Sequence, residues 1–237
     1  MNVTRFLVSL VLLAAVATAA SAQGVAGLHW NSCFGPIDRT ITADANNSLY
    51  VSVIGHSAAH KAYQVFVGFG SVSGIRDAWR FDAPGCQGSS FLTIDHLAPA
   101  AVAKACPSFQ GALQSLQIKD YSYDVVTGKT RGVLANSYPA GIPASNPAIR
   151  YFLARLVFDH TFSVAGPTTP GVDCGGLDVT VCAHFLSTAW LSLDGVETEW
   201  AKSPEFVTAN DPSAGAGCFP TPAENTTWGA IKAQYKR

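Results

Sequence analysis

A serine in a turn-like setting is the first residue of this sequence that could perform covalent chemistry. Ser57 lies in GHSAA, Gly55–Ala59, close to the G-x-S-x-G turn that presents the nucleophile of many lipases and esterases. That fold requires β-α-β elements before the serine, each of about 30 residues or more, and a helix after it. Once residues 1–22 are removed as the signal peptide predicted below, only residues 23–56 precede Ser57, too few for those elements, and the residues after it alternate as in a strand. We therefore expect a strand end and a polar loop, and we rank a serine esterase using Ser57, with Asp159 and His184 as nominal partners, third among the functions considered.

Two histidines flank this serine at the four-residue spacing of helical metal ligands. On a strand or loop, this spacing does not direct the imidazoles of His56 and His60 to one point, and no glutamate accompanies them as in H-E-x-x-H. Asp44 and Asn46 begin like a calcium loop, but the glycine and the distal glutamate of such a loop are missing. We predict no metal site and no cofactor.

Carboxylates and tryptophans near the end of the sequence are the candidates for carbohydrate chemistry. Glu197 and Glu199 are two positions apart, so a strand would place both on one face. Glycoside hydrolysis requires two carboxylates about 5–9 Å apart. Trp190 and Trp200 could supply a sugar-stacking surface or pack in the core. These four residues are the ligand-facing candidates, with a solvated turn and core packing as the alternative interpretation.

The elements that must position these residues are predicted to be short strands. Lys61–Phe69 alternates so that Tyr63, Val65, Val67 and Phe69 share one face. Between such segments lie clusters of glycine and proline that indicate turns. Alternation with a period of two residues, together with β-branched and aromatic side chains, predicts further strands over Gln117–Asp124, Tyr151–Phe158 and Asp178–Leu193.

The last of these segments, Asp178–Leu193, carries the longest alternating pattern. Its apolar residues are expected on one face: Val179, Val181, Ala183, Phe185, Ala189, Leu191 and Leu193. Only the Ala-rich stretch Ala98–Ala105 and the C-terminus favour a helix. Many short strands and few helices predict an all-β chain, a single antiparallel two-sheet β-sandwich of the immunoglobulin-like kind with a short C-terminal helix or tail.

Composition divides the chain into three parts. Residues 1–22 combine Arg5, an apolar run and an A-x-A site, which is typical of a secretory signal peptide. Residues 23–211 form the predicted sandwich domain. Residues 212–237 are a Pro/Gly-rich linker and an amphipathic tail, in which Trp228, Ile231 and Tyr235 share a helical stripe.

Charge and hydropathy exclude two classes of partner. The formal net charge is −1, and no basic block occurs before Lys232, so the electrostatic footprint of a nucleic-acid-binding protein is missing. No segment after the signal peptide is long and apolar enough to span a membrane as a helix. We expect a secreted or cell-surface protein with an unknown surface partner or glycan as its ligand.

Six cysteines in an exported chain predict a disulfide framework. They are Cys33, Cys86, Cys106, Cys174, Cys182 and Cys218. Six cysteines allow 15 connectivities, and the sequence alone does not choose among them. Our preference is for local closures, which pair Cys174 with Cys182 and Cys86 with Cys106 and leave Cys33 for Cys218.

Motifs around these cysteines occur in a recognisable order. They are LHWNSC (28–33), DAWRFDAPGCQGSS (77–90), KACPSFQGALQSLQIKDYSYD (104–124), YFLARLVFDH (151–160) and DCGGLDVTVC (173–182). This order resembles a family of exported bacterial proteins with a disulfide-containing, immunoglobulin- or cohesin-like β-sandwich. TWGAIKAQYKR, the C-terminal run, resembles a T-W-G-x-I-K-x-x-Y tail found in other exported bacterial chains.

The resemblance implies a sandwich fold and supports pairing Cys86 with Cys106 and Cys174 with Cys182. Members of the family carry a second cysteine shortly after the first, where this chain has Ala43, so Cys218 would replace that partner. The resemblance implies no catalytic residues. The leading hypothesis is therefore a non-enzymatic extracellular domain with a binding, adhesion or structural role. The alternative is a carbohydrate-binding module or a secreted glycoside hydrolase.

Overall fold

Strands make up most of the chain in the computed structural model. It describes residues 23–211 except 46, 72, 83–84, 88–91, 110–115, 125–128 and 170–171, and it does not describe the side chains of residues 23, 116–133 and 139. The predicted signal peptide and the predicted C-terminal helix lie outside the described residues.

Two sheets and a small ribbon contain all the strands of the described residues. The first sheet has the order β13-β1-β3-β8-β5, with β13 Ala201–Lys202, β1 Gln23–Trp30, β3 Asn47–His56, β8 Tyr151–Phe158 and β5 Leu92–Asp95. The second has the order β2-β14-β11-β4-β7-β6, with β2 Asp38–Arg39, β14 Phe206–Ala209, β11 Val181–Ser192, β4 His60–Gly70, β7 Lys129–Ile142 and β6 Leu116–Asp124. A further strand, β12 Glu197–Glu199, pairs with β11, and β9 Ser163–Val164 pairs with β10 Cys174–Gly175.

Antiparallel pairing joins the long strands, and the apolar faces of the two sheets meet in one core. The predicted alternation of Lys61–Phe69 is confirmed in β4, where Tyr63, Val65, Val67 and Phe69 all belong to that core. The chain is therefore an all-β, two-sheet sandwich, as its pattern of short alternating segments predicts.

The pattern in β11 is interrupted by a β-bulge. Its register against β4 shifts between Phe185 and Ser187, so Val181, Ala183 and Phe185 face the core but Ala189 does not, and Trp190 takes the inner position instead. The prediction of one apolar face along the whole segment is wrong because one extra residue reverses the alternation beyond it.

Disulfides join distant parts of the chain. Cys33 pairs with Cys106 at a Cα–Cα distance of 6.3 Å, and Cys86 pairs with Cys174 at 6.1 Å. Cys182 is also disulfide-bonded, to a residue that is not among the four others just named.

The two predicted local pairings, Cys174–Cys182 and Cys86–Cys106, and the long-range pairing of Cys33 with Cys218 are therefore wrong. Cys174 lies on β10, in the separate two-stranded ribbon, whereas Cys182 lies on β11 and points away from the core. Closeness in the fold, and not closeness in the sequence, decides which thiols meet.

A second, smaller apolar cluster covers the outer face of the five-stranded sheet. It consists of the Cys33–Cys106 disulfide with Tyr50 and Phe152, against which Ala98 and Val102 pack. Val102 lies in α1, Ala100–Ala103, which confirms a short helical turn within the predicted Ala-rich stretch. The disulfide thus holds a non-strand segment on the back of a sheet.

The connection between β3 and β4 passes from one sheet to the other. β3 belongs to the five-stranded sheet, and β4 begins after only residues 57–59, in the opposite sheet. Gly55 near this corner has a positive φ of 77°, which glycine adopts without strain. The corner places His56 and His60 at facing ends of the two sheets.

Candidate functional site

The corner between β3 and β4 brings together two histidines that the sequence pattern was expected to keep apart. His56 Nε2 lies 3.1 Å from His60 Nδ1, and both side chains are buried. The prediction that their imidazoles do not converge is wrong, because it assumed one continuous strand or loop, whereas the chain turns between two sheets here.

A chain of hydrogen bonds fixes the tautomers of this pair. Trp200 Nε1 donates to His56 Nδ1 at 3.1 Å, so that nitrogen is unprotonated and Nε2 carries the hydrogen in neutral His56. His56 Nε2 then donates to His60 Nδ1, which leaves the hydrogen of His60 on its Nε2. That last nitrogen is buried and has no hydrogen-bond partner among the described residues.

Aromatic rings enclose the histidine pair. Trp190 lies 4.8 Å from His56 between ring centroids, Phe109 lies 4.6 Å from His60, and Tyr138 lies 6.0 Å from His60. Burial in this setting lowers the pKa of each histidine to about 4, so both are neutral at physiological pH. A neutral imidazole can accept a proton or bind a metal. Here, however, both nitrogens of His56 are hydrogen-bonded, one to Trp200 and the other to His60.

Metal binding needs more than this pair of nitrogens. Within the part of the chain that the structure describes, no group of three or more His, Cys, Asp or Glu side chains is placed to hold a metal ion. Asp44 lies in a local turn, where its carboxylate accepts a hydrogen bond from Thr42 Oγ1 at 2.6 Å.

Ser57 lies in the loop between the two histidines, but its nominated partners lie elsewhere. Asp159 follows the end of β8 that pairs with Asn47 at the start of β3, and ten strand residues separate that end from the corner. Its carboxylate accepts a hydrogen bond from the Thr161 amide at 2.9 Å. His184 pairs with Gly68, near the far end of β4. A strand, and not a helix, follows Ser57.

The four ligand-facing candidates are divided between two sides of a sheet. Trp190 and Trp200 are core residues, with 7% and 2% of their surface exposed. Glu199 pairs with Ala189 and Glu197 with Leu191, on the opposite side of β11 from Trp190. Burial and the charge of its neighbouring glutamate raise the pKa of Glu197. The tryptophans and glutamates therefore do not form one surface.

An open cleft lined by carboxylates lies at the opposite end of β11 from these glutamates. Its volume is about 420 Å³, and Asp38, Asp178 and Asp211 line it. The Asp38 carboxylate accepts a hydrogen bond from Thr208 Oγ1, and the Asp178 carboxylate accepts one from the Gly166 amide. Three carboxylates in one cleft favour a cationic or hydrogen-bond-donating ligand.

Asn210 builds the floor of this acidic cleft. It adopts a left-handed φ of 58°, and its side-chain amide donates to the carbonyls of Leu177 and Val179. Its side-chain oxygen accepts a hydrogen bond from the Ile41 amide at 2.8 Å. The sequence pattern did not single out Asn210, although asparagine tolerates this backbone conformation and its side chain bridges neighbouring segments.

Cohesins are among the solved structures to which this chain is similar. A non-cellulosomal cohesin from the archaeon Archaeoglobus fulgidus is 9% identical, with 78% of this chain and 89% of that chain covered and a TM-score of 0.35. A type II cohesin module from Acetivibrio cellulolyticus is 8% identical, with 76% and 91% covered and a TM-score of 0.39. A type I cohesin–dockerin complex from Clostridium thermocellum is 7% identical, with 79% and 94% covered and a TM-score of 0.36.

No protein-family model and no curated protein matches the sequence. The strand pairing described above, and not these likenesses, defines the fold of this chain as a β-sandwich.

Proposed function

We propose that this protein is a non-enzymatic, secreted or cell-surface β-sandwich domain with a binding or structural role. The observation that carries the proposal is the placement of its reactive side chains. His56 and His60 are buried and hydrogen-bonded to each other, and Ser57 is separated from Asp159 along β3. Nucleophilic catalysis requires a nucleophile and its base within hydrogen-bond reach of each other and of a substrate.

The disulfides support an extracellular setting. Cys33–Cys106 and Cys86–Cys174 are formed in the folded chain, and such bridges persist in oxidising compartments. Among the described residues, no helix has the length and apolar character needed to cross a lipid bilayer. Export by cleavage of residues 1–22 belongs to the same proposal.

Among the described residues, the acidic cleft is a surface with the chemistry to hold a ligand. Two exposed apolar residues are sequence neighbours of residues that line the cleft. Ile37 directly precedes Asp38, and Val164 directly precedes Ala165. An apolar rim beside carboxylates suits a protein partner that presents a lysine or arginine next to apolar residues. The binding role is therefore assigned to this end of the sandwich.

A binding screen with a matched pair of variants tests the function. The full chain is applied to peptide and glycan arrays and to a panel of ester and glycoside substrates. Asp178→Asn keeps the oxygen that accepts from Gly166 but removes the charge, so we expect about a five- to tenfold loss of affinity for a basic peptide. Asp194→Asn, at the exposed turn after β11, is the control and should bind like the wild type.

Hydrolysis of any panel substrate that is lost in Ser57→Ala or Glu197→Gln would overturn the non-enzymatic proposal. Glycan binding that is insensitive to Asp178→Asn would move the ligand site away from the acidic cleft and favour the carbohydrate-binding alternative.

A further inference from the structure

Part of the side of the seven-stranded sheet that points away from the core is buried. In β4, Val65 and Val67 face the core, so Phe66 between them points outward. Phe66 nevertheless has only 4% of its surface exposed, and it belongs to neither of the two apolar clusters formed by the described residues. A large ring on the back of a sheet is buried to this degree when neighbouring side chains or a further segment cover it.

The neighbours of Phe66 share its burial. Ser187 on β11 pairs with Phe66, while Gln64 on β4 pairs with Ala189 and with Ala135 on β7. All four of these neighbours are buried, and neither alanine is part of the two apolar clusters. The covered area therefore spans three adjacent strands, and we refer to these five residues as the outer patch.

The other sheet shows how this molecule covers the back of a sheet. There the segment containing α1 packs on Tyr50 and Phe152, and the Cys33–Cys106 disulfide fixes it in place. Neither of the two apolar clusters of the described residues includes a residue of the outer patch.

A disulfide points to the segment that covers the outer patch. Cys182 lies on β11 between the core residues Val181 and Ala183, so its thiol is on the same outward side as Phe66. It is disulfide-bonded, and the other four described cysteines are bonded to one another. Cys218 is the one further cysteine in the sequence.

The chain can make this connection without strain. β14 pairs with β11 at Thr208 and Cys182, and neighbouring strands are about 4.8 Å apart. Seven residues lead from Asp211 to Cys218, enough to span about 24 Å when extended. The residues after Cys218 are then numerous enough to run along β11 as far as the outer patch.

We propose that the C-terminal segment, residues 212–237, docks on the outer patch and is anchored there by a Cys182–Cys218 disulfide. The apolar stripe of Trp228, Ile231 and Tyr235 supplies side chains that match Phe66 and the two alanines in chemistry. The sandwich thereby occupies one of its own sheet faces, and external ligands are directed to the remaining surface.

Peptide mapping and photo-crosslinking of the full chain test the docking. Mapping under non-reducing conditions is expected to yield a peptide pair joined through Cys182 and Cys218. Benzoylphenylalanine replacing His184, on the outward side of β11, should crosslink to residues 212–237 of the same chain. The same probe replacing the exposed Thr93, on the opposite sheet, should not.

Hydroxyl-radical footprinting gives an independent measurement. In the full-length variant Cys182→Ala/Cys218→Ala/Trp228→Asp/Ile231→Asp, oxidation of Phe66 should rise at least about tenfold toward that of Phe34, which is 59% exposed in the wild type. Phe69 in the core should remain protected, which shows that the sandwich is still folded.

Three results would overturn the proposal. Peptide mapping could find Cys218 free or bonded to a cysteine other than Cys182, or the probe at position 184 could crosslink only to a second copy of the chain. The third is that Phe66 remains protected from oxidation in the quadruple variant. If that variant does not fold, the mapping and the crosslinks on otherwise unaltered full chains still decide the question.

Discussion

At the scale of single residues, the histidine–tryptophan cluster shows how a chemically suggestive pair becomes a structural one. His56 receives a hydrogen bond from Trp200 and gives one to His60, so both ring nitrogens of His56 are engaged inside the core. Hydrogen bonds of this kind offset the cost of burying polar groups. The cluster therefore ties the corner between the sheets to the segment that carries Trp200.

Trp200 and Trp190 provide a matched pair of variants. Trp200→Phe removes the donor to His56 Nδ1, whereas Trp190→Phe removes an indole nitrogen that has no hydrogen-bond partner among the described residues. Both lose similar ring volume. We expect Trp200→Phe to lower the free energy of unfolding by about 1–2 kcal/mol more than Trp190→Phe, as measured by urea denaturation. Equal losses would show that the hydrogen bond contributes nothing.

Burial of neutral histidines makes the stability of this protein depend on pH. Burial lowers the pKa of His56, His60 and His160 from 6.5 to about 4, so the unfolded chain binds more protons than the folded chain between these values. Stability should be fully present above pH 6.5 and fall as pH drops toward 4, by up to about 3 kcal/mol for each histidine. Urea denaturation at a series of pH values measures this.

The variant His60→Phe is the control for that dependence. It removes one titrating group from the buried pair, so its free energy of unfolding should fall less steeply between pH 6.5 and pH 4 than that of the wild type. An unchanged slope would mean that other groups cause the acid sensitivity.

At the scale of elements, the β-bulge in β11 decides which side chains enter the core. Leu186 is the additional residue between Phe185 and Ser187, which pair with Val67 and Phe66 respectively. Without such a bulge, the sequence pattern would place Ala189 and Leu191 in the core and Trp190 outside. The bulge therefore explains why Trp190 is buried and why the glutamates of β12 lie on the opposite side.

Deleting single residues of β11 tests this role. Removing Leu186 leaves Phe185 and Ser187 with their present partners and the present inward and outward directions, so we expect a loss of only about 1–3 kcal/mol in the free energy of unfolding. Removing Ala183 shifts the register and turns apolar residues outward, which should prevent folding. Circular dichroism and urea denaturation distinguish the two; similar outcomes would contradict the assigned bulge.

At the scale of the whole molecule, disulfides connect segments that are far apart in the sequence. The separations are 73 residues for Cys33–Cys106 and 88 residues for Cys86–Cys174. Closing loops of this length restricts the unfolded chain and stabilises the fold by about 4 kcal/mol for each bridge.

Two double variants measure this contribution. Cys33→Ala/Cys106→Ala and Cys86→Ala/Cys174→Ala should each lower the free energy of unfolding by about 4 kcal/mol in urea denaturation. The first variant should lose somewhat more, because its bridge is also part of the apolar cluster around Tyr50 and Phe152. If either variant retains wild-type stability, that bridge does not restrict the unfolded chain as inferred.

Local pattern was sufficient for four of the long strands and for the fold class. The segments around β4, β6, β8 and β11 were predicted within a few residues, because alternation with period two is a property of the strand itself. The partners of the cysteines and the contact of His56 with His60 could not be predicted in this way, because they depend on which sheet each strand joins.

The amino-acid sequence by itself determined that this chain forms short strands in a two-sheet sandwich with a disulfide framework. Only the tertiary structure decided that the two histidines meet, that Trp190 and Trp200 are buried away from Glu197 and Glu199, and that Asn210 organises an acidic cleft. The physical reason is that periodicity acts between neighbours in the chain, whereas a bulge, a corner between sheets and a disulfide join residues that the chain keeps apart.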